Sequence, residues 1–209
     1  MSCNLFDYPF AVSLPPLACA FLRSYGLPVA CLLATLQHVT YGSVWFVPGA
    51  AGVLSRNHSR FVAWSYTNKI TTVFFMLAGA LVKHGVPTHA HQGMAGLAAF
   101  LLVYGCSLNV QVHHLLGVKG IYYGNELGLI KKKDIKWIDG YPYNVMSHPQ
   151  YIGASLQILG GVALWGFESD LTVGSRYDVV ITGLYMCFLY LVTSQIEMTK
   201  PLPIKGGKK

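Results

Sequence analysis

The stretch VVITGLYMCFLYLVTSQIE, residues 179–197, decides the fold class. It is almost wholly apolar, and its only charge is the closing Glu197. A helix of about twenty apolar residues is long enough to cross a bilayer. Unpaired backbone is costly in lipid, so a helix is expected here rather than an isolated strand. We therefore predict an all-α integral membrane protein, and Glu197, an ionisable residue at the end of a span, is its first functional candidate.

The composition of the whole chain supports this class. Of 209 residues, 53% are hydrophobic and only 11% are charged, and the mean hydropathy is +0.45. Soluble domains carry about 25% charged residues. The net charge of +7 would suit a nucleic-acid partner. However, the basic residues cluster at predicted membrane edges rather than on one soluble face, so no nucleic-acid binding is expected.

Further apolar segments predict a bundle of four to five transmembrane helices. The predicted spans are residues 27–54, 62–83, 93–117, 147–167 and 175–197. Residues 9–22 are short and interrupted by Pro15 and Pro16, which predicts an interfacial or re-entrant segment. The domain division is then an N-terminal extension (1–26), a membrane domain (27–200) and a basic tail (201–209).

The distribution of lysine and arginine predicts the orientation. Twelve of the fifteen lie in or beside the loops at 55–61 and 118–146 and in the tail, which share one side of the predicted bundle. Basic loops remain in the cytosol. We therefore expect a multi-pass protein with its basic loops and C-terminus cytosolic and in contact with anionic lipid headgroups.

No metal or disulfide site is predicted. The cysteines are scattered and form no C-x-x-C; they are Cys3, Cys19, Cys31, Cys106 and Cys187. His84, His89 and His91 form a loose cluster without an acidic or cysteine partner and match no standard zinc spacing. We interpret these histidines as loop residues.

The segment LLGVKGIYYGNELG, residues 115–128, places glycines at 117, 120, 124 and 128. These spacings predict one face of a helix leaving the membrane. Two interpretations are open. The small residues allow close helix packing, including a homodimer, or the bare backbone at Gly124, with Gly105 farther up the helix, allows a flat cofactor to approach.

The segment GYPYNVMSHPQYIG, residues 140–153, is rich in polar and aromatic groups at a membrane edge. Pro142 and Pro149 suit helix starts, and a helix starting at Pro149 would point its positive end at an anion. Together with Trp137, the tyrosines form either an interfacial belt or a cation–π site for an amine.

Glu197 has two interpretations as well: a functional acid, or an interfacial charge paired with Lys200. Other polar residues fall near the same predicted end of the third span: Asn109, Gln111, His113 and His114. Together these groups predict a polar pocket at the cytosolic ends of the last three spans.

These motifs resemble the phosphatidylethanolamine N-methyltransferase family. The resemblance rests on LLGVKGIYYGNELGLIKK, on Tyr141-Pro142-Tyr143-Asn144-Val145, on His148-Pro149-Gln150-Tyr151 with Gly153, and on Ile196-Glu197. The H-P-x-Y-x-G form is also similar to the wider membrane methyltransferase group that includes isoprenylcysteine carboxyl methyltransferase. The chain departs from the family pattern in two places: it keeps only Gly105 of a glycine-x-glycine motif and only the second acid of a glutamate pair.

The resemblance implies S-adenosylmethionine as methyl donor, an ethanolamine phospholipid as acceptor and an endoplasmic reticulum membrane. The implied site residues are Gly105, Gly124, His148, Tyr151, Gly153 and Glu197 at the cofactor, and Tyr141, Tyr143 and Asn144 at the substrate. The acceptor amine must lose its proton before attack, which makes Glu197 and then His148 the candidate catalytic residues. Glu197 therefore has two open roles, proton acceptor or cofactor ligand, and the resemblance favours the second. The alternatives are an isoprenylcysteine carboxyl methyltransferase-like enzyme and a non-catalytic lipid-binding protein.

Overall fold

The computed structural model describes residues 3–4, 13–85, 92–131, 134, 138–166 and 177–199. Several predicted features lie outside these residues: the loop histidines His89 and His91, Trp137, Lys200 and the basic tail 201–209.

The described residues are almost entirely helical, which confirms the predicted all-α class. The helices are α1 (Pro16–Phe46), α2 (Ala50–Arg56), α3 (His58–His84), α4 (Gln92–Ile121), α5 (Pro149–Gly166) and α6 (Tyr177–Thr199). A two-residue antiparallel pair, β1 (Cys3–Asn4) and β2 (Ser13–Leu14), precedes α1.

Three of these helices are long and apolar enough to cross a membrane: α1, residues 93–121 of α4, and α6. This supports a multi-pass membrane protein. Helix α3 is not among the three; it carries the polar run Ser65–Lys69. Helix α5 has only 18 residues, about 27 Å at the α-helical rise. Membrane crossing by α3 and α5 therefore stays a prediction.

The structure corrects the predicted start and end of the first span. Pro16 is the first residue of α1, where a proline sacrifices no needed N–H, so residues 16–22 belong to a long helix and not to a separate interfacial segment. The helix continues across the predicted domain boundary at residue 26 and ends at Phe46 rather than 54. Pro48 disfavours helical backbone at the preceding residue, Gly49 has a φ of +81°, and α2 follows as a separate short helix.

Glycines bring two pairs of helices into close contact. A Cβ atom on Gly26 of α1 would lie 2.6 Å from the Cα of Gly79 in α3. A Cβ atom on Gly105 of α4 would lie 2.5 Å from the carbonyl oxygen of Gly153 in α5. Helix α6 packs against both α1 and α5 and so joins the two pairs.

The predicted helix through residues 115–128 is interrupted. Gly117 has a φ of 64° and a ψ of 176°, outside helical values, so α4 is kinked there. Residues 122–128 form turns after Ile121, and Gly128 also has a positive φ of 69°. The four glycines therefore do not share one helical face, and this segment folds over the end of the bundle instead.

The ends of five helices meet at that end of the bundle. They are the C-terminal ends of α1, α4 and α6 and the N-terminal ends of α3 and α5. A buried cluster occupies the junction, with Tyr41, Val44, Phe61, Tyr122, Tyr123 and Leu127. The outer faces of the helices expose large apolar side chains, as expected beside lipid; examples are Leu32, Ile70, Phe100, Val103, Ile181 and Phe188.

Candidate active site

A carboxylate near the end of α6 is the centre of a polar cluster. The Tyr123 hydroxyl donates a hydrogen bond to Oε1 of Glu197 at 2.6 Å, and the Tyr151 hydroxyl donates to the same oxygen. The two phenol oxygens are 3.1 Å apart. Charge-assisted bonds of this kind are stronger than neutral ones, so they fix the carboxylate in one orientation.

The second oxygen of Glu197 faces a histidine. Nδ1 of His148 lies 3.5 Å from Oε2, which is within ion-pair range but long for a hydrogen bond. Pro149 begins α5, so His148 and Tyr151 lie one turn apart, with their rings stacked at 5.7 Å and 16°. Partial burial lowers the pKa of His148 from its usual 6.5, because burial disfavours the charged ring. The histidine is therefore neutral near pH 7, and together with Glu197 it is a proton acceptor.

Tyr123 was not among the predicted site residues. It is only 4% exposed and its φ of 60° is in the left-handed region, which non-glycine residues adopt uncommonly. Burial and the neighbouring Tyr151 and Glu197 raise the pKa of its phenol well above the usual 10, so it stays a hydrogen-bond donor. Two tyrosines directly before Gly124 are a weak signal for a site residue, because a continuous helix through residues 115–128 is equally compatible with them.

Helix α1 supports the cluster from one side. The ring of Tyr123 packs against Tyr41 at 5.4 Å and against Trp45 at 5.1 Å, both edge to face. His38 packs edge to face on Tyr190 at 4.6 Å, and Tyr190 lies 5.7 Å from the Tyr151 ring. No sequence motif predicted that side chains of α1 would pack against the cluster.

An open cavity of about 420 Å³ lies between α5 and α6. His148 and Tyr151 line it, so the cavity reaches the polar cluster. Its remaining walls combine hydroxyls and apolar groups, among them Ser147, Ile152, Leu156, Tyr190, Ser194 and Met198. The volume falls in the range of about 300–1,000 Å³ typical of small-molecule sites.

Two further polar residues lie in the turn after Tyr123. Asn125 Oδ1 is buried and has no hydrogen-bond partner within the described part of the chain. Glu126 is close enough to Glu197 for the two carboxylates to interact electrostatically, and burial raises the pKa of Glu126. The site therefore has a second acid, which the sequence did not single out.

The predicted substrate residues lie apart from this cluster. Tyr141 is exposed, and its hydroxyl is 3.0 Å from that of Tyr104 on α4. The Tyr143 hydroxyl donates to Gln150 Oε1 at 3.4 Å, and burial raises the pKa of Tyr143 to about 12. Asn144 is exposed. Pro142 lies in a turn at residues 141–145 and does not begin a helix; its carbonyl oxygen accepts from Val145 N and Met146 N, each at 3.1 Å.

The predicted cofactor glycines are tightly packed in the structure. Gly105 and Gly153 face one another, as described above, and a Cβ atom on Gly153 would also lie 3.0 Å from Asn109 Oδ1. A Cβ atom on Gly124 would lie 2.5 Å from the Lys119 carbonyl oxygen, to which Gly124 N donates at 2.7 Å. Packing is enough to explain these three glycines, and their role at a cofactor stays a prediction.

The chain matches one described protein family. Residues 94–199 match the model of the family described as phospholipid methyltransferase. All four members of the cluster, Tyr123, His148, Tyr151 and Glu197, fall inside the matched residues.

Several named proteins are similar over part of the chain. A phosphatidyl-N-methylethanolamine N-methyltransferase of Arabidopsis thaliana is 39% identical over 43% of this chain and 48% of its own length. Phosphatidylethanolamine N-methyltransferase B of Dictyostelium discoideum is 33% identical over 38% of this chain and 40% of its own length. The chain therefore spans about half, or less, of the length of the relatives it matches. No solved structure matches the chain at a significant level.

Proposed function

The chain belongs to the phospholipid methyltransferase family, and from this we propose that it transfers methyl groups from S-adenosylmethionine to the amino nitrogen of ethanolamine phospholipids. The acceptors include phosphatidylethanolamine and its mono- and dimethyl forms, and the final product is phosphatidylcholine. The names of the similar proteins, which act on phosphatidylethanolamine or its monomethyl form, support this acceptor class.

The observation that carries the proposal is the arrangement of the two Glu197 oxygens. Oε1 accepts from both Tyr123 and Tyr151, whereas Oε2 faces the neutral His148. An ammonium has no lone pair, so it must lose a proton before it is methylated. Oε2 is a proton acceptor, and the neutral imidazole of His148, which lines the open cavity, has one acceptor nitrogen. Both groups suit that step.

The residues present also fit the methyl donor. When bound, S-adenosylmethionine supplies an electrophilic methyl group on a positively charged sulfur. The Glu197 carboxylate and the rings of Tyr151 and Tyr190 favour a cationic ligand, and the unpartnered Asn125 Oδ1 offers an acceptor for a ligand N–H. At the start of α5, Tyr151 N and Ile152 N both donate to the His148 carbonyl oxygen, so the positive end of the helix favours a ligand carboxylate through its dipole. We assign His148, Tyr151 and Glu197 to the donor, as the sequence predicted, and add Tyr123 and Asn125.

The main contribution of the protein is to align the amine nitrogen with the methyl group of the donor, because that methyl group is already activated. The paired phenols hold Glu197, and the stacked rings hold His148 against Tyr151. Aromatic neighbours tolerate each added methyl group, because a more methylated amine remains a cation–π partner.

The proposal also includes an endoplasmic reticulum membrane with the site at its cytosolic face. The support is the distribution of charge: Arg56, Arg60 and Lys119 lie at the same end of the bundle as Glu197, and basic ends remain cytosolic.

The test is lipid mass spectrometry on membranes that contain the protein, incubated with S-adenosylmethionine carrying a labelled methyl group. Phosphatidylethanolamine, its monomethyl form and its dimethyl form are supplied separately, with a prenylcysteine as a carboxylate acceptor. We expect label in ethanolamine lipids. Label in the prenylcysteine alone would favour the carboxyl methyltransferase alternative, and no label in any acceptor would favour the non-catalytic one.

A further inference from the structure

Lys69 is a cation inside the helical bundle that has no anionic partner among the residues the structure describes. It lies about three turns into α3 and is only partly exposed. Among the described residues, Asp178 lies within ion-pair distance of Lys83 and contacts His84, and Glu197 faces the neutral His148. No described carboxylate therefore neutralises Lys69. Burying a charge without a partner is costly, so the presence of Lys69 points to a ligand or a functional partner.

The surroundings of Lys69 offer hydrogen-bond donors for an anion. Nζ lies 3.4 Å from the Tyr122 hydroxyl and 5.1 Å from the centre of the Tyr122 ring. The Tyr66 ring packs on Tyr122 at 5.3 Å, and its hydroxyl is 2.7 Å from Nε2 of His113. An ammonium, phenols and an imidazole are groups that bind phosphate oxygens.

This group adjoins the Glu197 cluster through two consecutive residues. Tyr122 contacts Lys69, and Tyr123 donates to Glu197. Both rings pack against Phe61, with centroids at 6.1 and 6.5 Å. Lys69 and Glu197 therefore each contact one of two consecutive tyrosines in the turn after α4.

The lipid acceptor of the proposed function carries the complementary pair of charges. An ethanolamine phospholipid has a phosphodiester and an ammonium separated by two carbons. We infer that Lys69, with Tyr122, binds the phosphate of the acceptor lipid while Glu197 receives the ammonium. The inference rests on the proposed function for the identity of the acceptor, but the phosphate contact itself is tested without methylation.

Lys69 lies outside the matched residues 94–199. The inference therefore assigns part of the substrate site to α3, a helix for which the family match makes no statement. It also gives Lys69 a role. A lysine that only set the orientation of the protein in the membrane would be expected nearer the end of a span.

The kinetic test compares Lys69→Met, which removes the charge, with Lys69→Arg, which keeps it. A matched control is Lys119→Met, which removes the same charge from an exposed position near the end of α4. In detergent–lipid micelles we expect Lys69→Met to raise the KM for phosphatidyl-monomethylethanolamine by roughly tenfold or more, with the donor KM unchanged. Lys69→Arg and Lys119→Met should stay close to the wild type. A raised donor KM with an unchanged lipid KM would overturn the inference, because the anion would then be the carboxylate of the donor.

The binding test needs no catalysis, so it separates failure of this inference from failure of the proposed function. The purified protein is heated with a short-chain phosphatidylcholine, with a diacylglycerol of the same acyl length, or with inorganic phosphate. We expect the phosphatidylcholine to raise the Tm of the wild type and Lys69→Arg, and to lose most of that effect on Lys69→Met. Equal shifts for all three proteins, or inorganic phosphate acting as strongly as the lipid, would overturn the inference. If Lys69→Met fails to fold, Tyr122→Phe replaces it and should weaken the same response.

Discussion

Tyr123 and Glu197 are 74 residues apart in the chain, yet the phenol of one donates to the carboxylate of the other at 2.6 Å. The contact joins the turn after α4 to the last turns of α6. It also leaves Oε2 of the carboxylate to face His148. The predictions below test what this arrangement does.

Replacing Glu197 by Gln keeps the shape of the side chain and removes the carboxylate. We expect the methylation rate to fall by about a hundredfold or more, the scale of a lost proton acceptor. Tyr123 and Tyr151 still have an oxygen to donate to, so the Tm should change little. The measurement is labelled methyl transfer to ethanolamine lipid at equal amounts of folded protein. An unchanged rate would remove Glu197 from the site.

The two phenols are predicted to act as a unit. Tyr123→Phe and Tyr151→Phe each remove one hydrogen bond from Oε1, and each should lower kcat/KM by about tenfold. The double variant should lose less than the product of the two effects, because the two phenol oxygens lie 3.1 Å apart and position each other, so that removing one already costs part of the contribution of the other. The measurement is a double-mutant cycle on kcat/KM, with Tyr104→Phe as the control at an outer face of α4. Fully independent effects would show that the phenols do not share the carboxylate.

Gly105 is predicted to act through packing. Gly105→Ala places a Cβ atom 2.5 Å from the Gly153 carbonyl oxygen, and we expect a loss of about 1–3 kcal/mol in the free energy of unfolding. The matched control is Gly96→Ala on the same helix, where a Cβ atom meets nothing within 4 Å. That change should be neutral or stabilising by up to about 1 kcal/mol. Thermal or denaturant unfolding in detergent compares the two. A Gly105→Ala protein of normal stability with a raised donor KM would instead support the cofactor role predicted from the sequence.

The acid sensitivity of the protein should depend in part on His148. Its pKa is lowered in the folded state from the usual 6.5, so the unfolded chain takes up the proton first as the pH falls. The stability contributed by the neutral ring is therefore present above about pH 6.5 and is lost below it. We expect the Tm of the wild type to fall more than that of His148→Gln between about pH 7.5 and about pH 5.5. If the Tm of the wild type and of His148→Gln falls by the same amount, His148 is not buried as the structure has it.

The sequence was sufficient for the helical membrane class, and three of the residues that it singled out lie together in the structure. Long apolar runs predict helices directly, and Pro149 marked the start of α5 correctly. His148, Tyr151 and Glu197 were recognisable because each sits beside a proline, a glycine or the end of an apolar run.

The remaining errors have physical causes. Periodicity treats residues 115–128 as one helix, but Gly117 adopts a backbone conformation that ends the helical path, and Tyr123 enters the site only because of that kink. Pro15 and Pro16 suggest a break, yet at the start of a helix a proline costs nothing. The support from His38 and Tyr41 depends on how α1 crosses α6, which no local pattern encodes.

The crossing of α1 has a practical consequence for protein engineers. The family match begins at residue 94, so a minimal catalytic fragment would be cut there. Such a fragment would retain Tyr123 and Glu197 but lose the aromatic wall formed by Tyr41 and Trp45. The part of the chain that matches the family is therefore not structurally self-sufficient, and a version of it moved into another protein would need a substitute for the first helix.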